Sequence, residues 1–311
     1  MREPSQTVKS NLNLVRIPLE KSMNQDILEI NVSPAERAAA TMLDSNMDAA
    51  IKALREDGIC VLANVVSNTS TDALLKQSLL DVQHLVNRPD APFNWVKGNV
   101  QQDPPPFPPY LFRDILVNDL VISVTKSILG AGLRCGFYSG NTAMPSESRQ
   151  PVHADEGQLW PHLEAVPPGH AYVVNVPLVD VSPENGSTEM WRGTHLDPTI
   201  AIQSGDIVIP TDRLEARRQV RPPIQPVVKA GSVVIRDIRM WHAGMPNHTQ
   251  KPRPMIAMIH AIAWWPTSKI RFARGSEPYL EHPDLKWNVE YVDGEIDHLS
   301  GVHGFMAGGA A

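Results

Sequence analysis

The chain predicts a mainly β protein with helices at its N-terminal end and a jelly roll, two packed antiparallel sheets, at its centre. Three observations point there. Apolar periodicity before residue 128 is helical. Between residues 133 and 265 it gives way to short runs rich in Val, Ile and aromatics. Gly, Pro, Asn and Asp separate those runs at spacings that suit a sandwich or barrel rather than a βαβ array.

Residues 1–32 are polar and weakly periodic, an extension expected to be partly ordered at most. Ser33-Pro34-Ala35-Glu36 has the form of a helix start, with Ser33 as N-cap and Pro34 in the first turn. That helix should run to about Asp57 and stop at Gly58. Residues 59–62 read as a short buried strand. A second helix, capped near Ser70 or Thr71, carries an apolar stripe of Leu74, Leu75, Leu79, Leu80, Val82 and Leu85. Residues 88–110 should be loop, since the proline-rich run 103–109 suits neither a central strand nor a helix interior. A third helix is expected over 113–128. Strands are expected over 133–138, 171–179, 227–229, 232–236 and 255–264, followed beyond 270 by an irregular tail with one short helix. Residues 33–311 therefore read as a single domain behind the 1–32 extension.

Composition narrows the function. Apolar residues at 42% and charged residues at 20% describe an ordinary soluble globular protein. A net charge of −6 argues against nucleic acid or an anionic membrane as partner. No apolar run approaches the ~18 residues of a membrane span, and the first residues show no apolar signal core. Cys60 and Cys135 are the only cysteines. Two thiols make neither a disulfide framework nor a zinc knuckle, which fits a reducing, cytoplasmic setting. A small-molecule substrate is the expected partner.

The chemistry sits in one of three H-x-D triplets: His153-Ala-Asp155, His195-Leu-Asp197 and His282-Pro-Asp284. Ligands two positions apart share a face only in extended chain. His282 has a proline inside its triplet and follows the strands, so it is discarded. His195 lies between turn-like segments and reads as a hydrogen-bonded loop histidine. His153 alone has the long strand at 171–179 between itself and His242, room enough to bring remote positions together across a sandwich. His242 stands where the run 233–238 meets a turn. His153, Asp155 and His242 are the ligand set of a non-haem Fe(II) oxygenase, with positions left open for chemistry. Eleven residues beyond His242, Arg253 opens an apolar strand. A buried guanidinium needs a partner: either the far carboxylate of 2-oxoglutarate, held by its planar fork, or an ordinary Asp or Glu.

With these residues identified, the chain resembles the phytanoyl-CoA dioxygenase family of Fe(II)/2-oxoglutarate oxygenases, and looks closest to its natural-product tailoring members. The resemblance covers about 58–263. It rests on "DGICVLANVVS", "RQPVHADEGQLW", "VNVPLVDVSPENGSTEMWRGTHL", "GSVVIRDIRMWHAGMPNHT" and "RPMIAMIHA", in that order. It implies a double-stranded β-helix of jelly-roll, cupin-like type, with His153, Asp155 and His242 on iron. It implies further that Arg253, helped by Thr188, binds the C5 carboxylate of 2-oxoglutarate, and that Gln150 reaches the cosubstrate or the iron-bound ligands. Cofactors would be Fe(II), 2-oxoglutarate and O2. The outcome would be hydroxylation, desaturation or oxidative cyclisation of a small molecule, with release of succinate and CO2. Retention of Asp155 argues against halogenation. Relatives also suggest a homodimer.

Where many relatives carry proline, this chain has Arg192-Gly193. Arg192 is either a substrate contact or a surface residue, and the surface is preferred. Trp160, Trp191, Trp241, Met190, Met240 and Met245 would supply an aromatic and thioether wall, about half of them serving only as packing. Tyr138 and Asn141 are expected to face the cavity. The competing class is a cupin-like metal-dependent hydrolase or isomerase, or a binding module without turnover; Arg253 at its offset separates the two.

Overall fold

The structure, a computed structural model, describes residues 27–160, 163–200, 207–301 and 305–306. Residues 1–26 of the expected extension lie outside these. The part that is described begins in a strand, β1 (Glu29–Asn31), which pairs in parallel with β2 (Ile59–Ala63).

Between them the chain forms α1 (Pro34–Ala39) and α2 (Asp44–Glu56). The single helix expected over 33–57 is thus two. Ala40 takes a left-handed conformation at φ 50°, and one carboxylate serves both sides of the break. Glu36 Oε2 accepts from the Ser33 backbone N–H, closing a capping box. Its Oε1 accepts from the Leu43 backbone N–H and from Asn46.

α3 (Asn68–Leu85) is capped by Ser67, three residues before the expected cap. The 88–110 stretch is not all loop: it holds β3 (Asn94–Trp95) and β4 (Asn99–Gln101). The helix expected over 113–128 is α4 (Arg113–Leu116) and α5 (Asp119–Leu129), divided where Asn118 caps the second.

β5 (Leu133–Ala143) is longer than expected and β6 (Ala171–Pro177) slightly shorter. Short β7 (Glu189–Met190) is followed by α6 (Thr211–Val220), a helix not among those expected. β8 (Val233–Asp237), β9 (His242–Ala243) and β10 (Arg253–Ala261) complete the core. The 227–229 run makes only an isolated bridge, Val181 to Val228. The tail is more regular than expected, with β11 (Ile270–Ala273), α7 (Glu277–Leu280), β12 (Leu285–Trp287) and β13 (Val289–Val292). β14 (Phe305–Met306) pairs with β3.

The main sheet runs β1-β2-β8-β6-β10-β5-β12, with β4 on β5. Period two gives each strand two destinations. Tyr172, Val174 and Val176 of β6, Val233 and Ile235 of β8, and Ile256 and Met258 of β10 turn toward the helices. They share one core with Leu54 of α2 and Val121 of α5. Their neighbours Val173, Asn175, Val234, Arg236, Arg253, Met255 and Ala257 turn the other way, into a cavity. The second wall is a minor sheet: β7 pairs with β9, and isolated bridges join His153 to His242 and to Val208. This is a jelly roll with helices packed on the outside of its larger sheet. No helix among the described residues is long and apolar enough to cross a membrane.

Candidate active site

The two histidines are set by backbone pairing. His153 and His242 exchange hydrogen bonds, N–H to O at 3.0 Å one way and 2.9 Å the other. Residues directly opposite in an antiparallel pair project to one face, so the two imidazoles stand together with ring centroids 4.3 Å apart. Two positions along the extended segment, Asp155 joins them. Asp155 Oδ1 lies 3.9 Å from His153 Nε2 and 3.5 Å from His242 Nε2. One ligand atom from each of the three lies within 4.8 Å of the others.

Each imidazole is oriented from behind. His153 Nδ1 lies 2.8 Å from the Pro151 carbonyl and His242 Nδ1 lies 3.0 Å from the Met240 carbonyl. A carbonyl only accepts, so Nδ1 carries the hydrogen, and the lone pair of each neutral ring is at Nε2, facing Asp155. Burial, with His242 beside it, pushes His153 down to about 3. Burial works against an ionised Asp155, but Arg236 and the two imidazoles outweigh it and hold the carboxyl well below the usual range. Two neutral nitrogen donors and one carboxylate oxygen converging on one point fit a divalent transition metal.

Arg236 is the residue that sequence reasoning passed over. Its Nη2 donates to Asp155 Oδ2 and lies 3.4 Å from His242 Nε2. The two carboxylate oxygens are therefore divided: Oδ1 toward the histidines, Oδ2 toward the guanidinium. A charged residue closing the strand expected over 232–236 was the available signal.

Arg253 lines the same cavity and is 3% exposed. Its Nη2 donates to the Gly186 carbonyl at 2.6 Å and its Nε to the Asn185 carbonyl at 3.4 Å. Among the described residues no carboxylate pairs with it, and burial pushes it down to about 10. The Asn185-Gly186 turn presents those carbonyls. Gly186 sits at φ +80°, and a Cβ there would meet the Met245 carbonyl at 2.8 Å. A buried cation held by two neutral oxygens fits the distal carboxylate of a keto-diacid.

The other expected site residues divide. Thr188 and Asn141 line the cavity, as does Gln150. Both ends of the Gln150 amide hold backbone: Oε1 accepts from Gly244 N at 2.6 Å and Nε2 donates to the Asn94 carbonyl at 3.0 Å. Gln150 thereby ties the two ligand-bearing segments together.

Tyr138 corrects the expectation. It lies in the helix-side core, stacked on Phe272 at 5.8 Å and edge-on to Trp287. Trp160 does not line the cavity either; it is about half exposed. Trp241 packs with Val152, Ala154 and Trp191 behind the triplet rather than in the cavity wall. Arg192 is buried, not on the surface, and its carbonyl accepts from Arg217 of α6. Of the three methionines expected in the wall, Met190 lines the cavity. Trp95, unforeseen, rests its ring 5.1 Å from His153.

The remaining triplets are structural. His195 Nε2 meets the Arg55 carbonyl at 3.2 Å, with Gly58 against the ring. His282 pairs with Asp119 at 3.1 Å.

Comparison with known proteins follows the same lines. A curated relative, Dioxygenase af480 of Aspergillus fumigatus, is 27% identical over 144 residues, 45% of this chain and 40% of that protein. The chain thus matches less than half the length of that relative. AviO1 from Streptomyces viridochromogenes Tue57 superposes with a TM-score of 0.53 at 21% identity, covering 73% of this chain and 100% of that one. HygX from Streptomyces hygroscopicus, solved with nickel, 2-oxoglutarate and hygromycin B bound, superposes at 0.50 with 14% identity, covering 72% and 90%. At these identities the likeness shows a common fold. The model of the phytanoyl-CoA dioxygenase family matches residues 54–255, more than half the chain. The chain belongs to that family of Fe(II)- and 2-oxoglutarate-dependent oxygenases.

Proposed function

We propose that this protein is an Fe(II)- and 2-oxoglutarate-dependent dioxygenase that oxidises a C–H bond of a small molecule in secondary metabolism. The outcome is hydroxylation, desaturation or oxidative cyclisation, with 2-oxoglutarate converted to succinate and CO2. One observation carries this reading: a two-histidine, one-carboxylate cluster shares a cavity with a buried arginine that has no acidic partner among the described residues. HygX, with 2-oxoglutarate and hygromycin B in the same fold, supports a cosubstrate and a small molecule side by side.

Held by His153, Asp155 and His242, Fe(II) would supply, with 2-oxoglutarate and O2, the oxidising power to break the C–H bond. The chain's own residues do the rest. Arg253, steered by the carbonyls of Asn185 and Gly186, receives the distal carboxylate of 2-oxoglutarate, and Thr188 adds a hydroxyl donor. Val173, Val234 and Ile259 line the cavity with apolar surface and keep water from it. Pro151 and Met240 hold both imidazoles in the ligating tautomer.

The test is succinate formation from 2-oxoglutarate under air, with and without Fe(II). Turnover should require the metal, and Asp155→Ala should abolish it; an Asp155→Ala protein that still forms succinate at the wild-type rate would sink the metal assignment. An anaerobic titration of Fe(II) protein with 2-oxoglutarate gives a visible charge-transfer band as a readout free of any prime substrate.

A further inference from the structure

Among the described residues the cavity wall carries two guanidinium groups, Arg236 and Arg253, and a single carboxylate, Asp155. Every other polar group facing it is neutral: the amides of Asn94, Asn99, Gln101, Asn141 and Asn175, among others. This charge count rests on the function proposed above. Fe(II) adds two positive charges and 2-oxoglutarate two negative ones. With Asp155 and Arg253 those four sum to zero. Arg236 is the surplus charge.

The surplus is buried and incompletely used. Arg236 is 5% exposed. Its Nη2 is committed to Asp155, while its Nη1 is buried with no acceptor among the described residues. A guanidinium is a fork whose parallel donors suit a planar pair of oxygens. An uncompensated cation and an unmet donor at the wall of a largely apolar cavity both favour an incoming anion. We propose that the prime substrate is a carboxylic acid, bound as its monoanion at the guanidinium of Arg236, with its oxidisable carbon beside the metal cluster. Arg236 then has two tasks: it turns Asp155 Oδ2 away from the histidines and grips the substrate. The neutral amides around it add directional hydrogen bonds but no charge, so the acid group is the dominant polar determinant.

The experiment uses the full-length protein loaded anaerobically with Fe(II) and 2-oxoglutarate. Propionate and phenylacetate are titrated against their uncharged twins, propionamide and phenylacetamide, and followed by perturbation of the visible charge-transfer band and by calorimetry. Each acid should bind about 10-fold tighter than its amide or more, the worth of one hydrogen bond to a charged group. The ratio should collapse to about one in Arg236→Gln and return in part in Arg236→Lys, which restores the charge without the fork. A ratio near one in the wild type, or no binding of either acid, overturns the proposal. So does an acid preference that survives in Arg236→Gln, because a probe that merely ligated the metal would behave that way. Failure of the underlying function looks different: the wild type would then show no 2-oxoglutarate-dependent band before any probe is added.

Discussion

Replacing Arg253 with methionine tests the cosubstrate site on two axes at once. The substitution keeps much of the buried stem and removes the charge. Burial pushes the guanidinium down to about 10; for a base, a folded value below the unfolded one means that the native state is penalised for carrying the proton. The penalty is present at every pH below about 10 and fades only above it. It amounts to about 3 kcal/mol. Against this relief stands the loss of one short hydrogen bond to the Gly186 carbonyl and one long one to Asn185, about 2 kcal/mol in all. The two terms nearly cancel, so the ligand-free variant should unfold within about 2 kcal/mol of the wild type in urea. Binding of 2-oxoglutarate has no such compensation. Two charge-assisted hydrogen bonds to a carboxylate are worth about 3–5 kcal/mol, so the dissociation constant should rise roughly 150- to 4,000-fold. Anaerobic titration of the Fe(II) protein measures it. An unchanged affinity refutes the cosubstrate role. A stability loss beyond about 4 kcal/mol refutes the other half, because that is the signature of a broken buried ion pair.

Two further outcomes follow from burial. His153 and His260 are both held at about 3 by desolvation, whereas an imidazole in the unfolded chain titrates at about 6.5. Between those values the unfolded chain takes up protons that the native state refuses. Stability of the metal-free protein should therefore fall as pH drops from about 6.5, by about 1.4 kcal/mol per pH unit for each histidine; a urea midpoint constant from about pH 6.5 to 4.5 would show the imidazoles to be hydrated. Tyr138→Phe removes a buried hydroxyl that has no hydrogen-bond partner among the described residues and keeps the ring on Phe272. It should leave 2-oxoglutarate affinity unchanged and stability equal or higher by up to about 1 kcal/mol, and a drop in cosubstrate binding would return Tyr138 to the cavity.

The two-histidine, one-carboxylate cluster was legible because its constraint is local and chemical. A triplet with period two, a distant histidine at a strand end and an arginine opening an apolar strand are each visible in the letters. What escaped depends on three-dimensional parity or on polar packing. Tyr138 and Asn141 stand three apart, and a regular strand puts such a pair on opposite faces; β5 also carries an irregularity opposite Met258 and His260. Asn141 takes the cavity face, and Tyr138 the core. α6 has no buried residue, so no apolar stripe marks it. Arginines in it and at its end dock it instead: Arg217 on the Arg192 carbonyl, Arg218 over Trp191, and the C-cap Arg221 on Asp57. That docking also explains why Arg192, a charged residue beside a turn, is buried. Arg236 was hidden in a run read as apolar, although the rule applied to Arg253, that a buried guanidinium needs a partner, applies to it equally.

The rung shared by His153 and His242 has a wider consequence for how such a protein can change. Because the imidazoles are neighbours across a ladder, their separation is independent of how much polypeptide lies between them. Segments that make no rung with either ligand strand, such as α6, can lengthen, shorten or be exchanged without resetting that spacing. A slip of a single residue beside the rung would instead swing one imidazole to the opposite face and dismantle the centre. The cavity wall, by contrast, is carried largely by β5, β6, β8 and β10, so a change of pocket shape falls mainly on strand residues that also build the sheet.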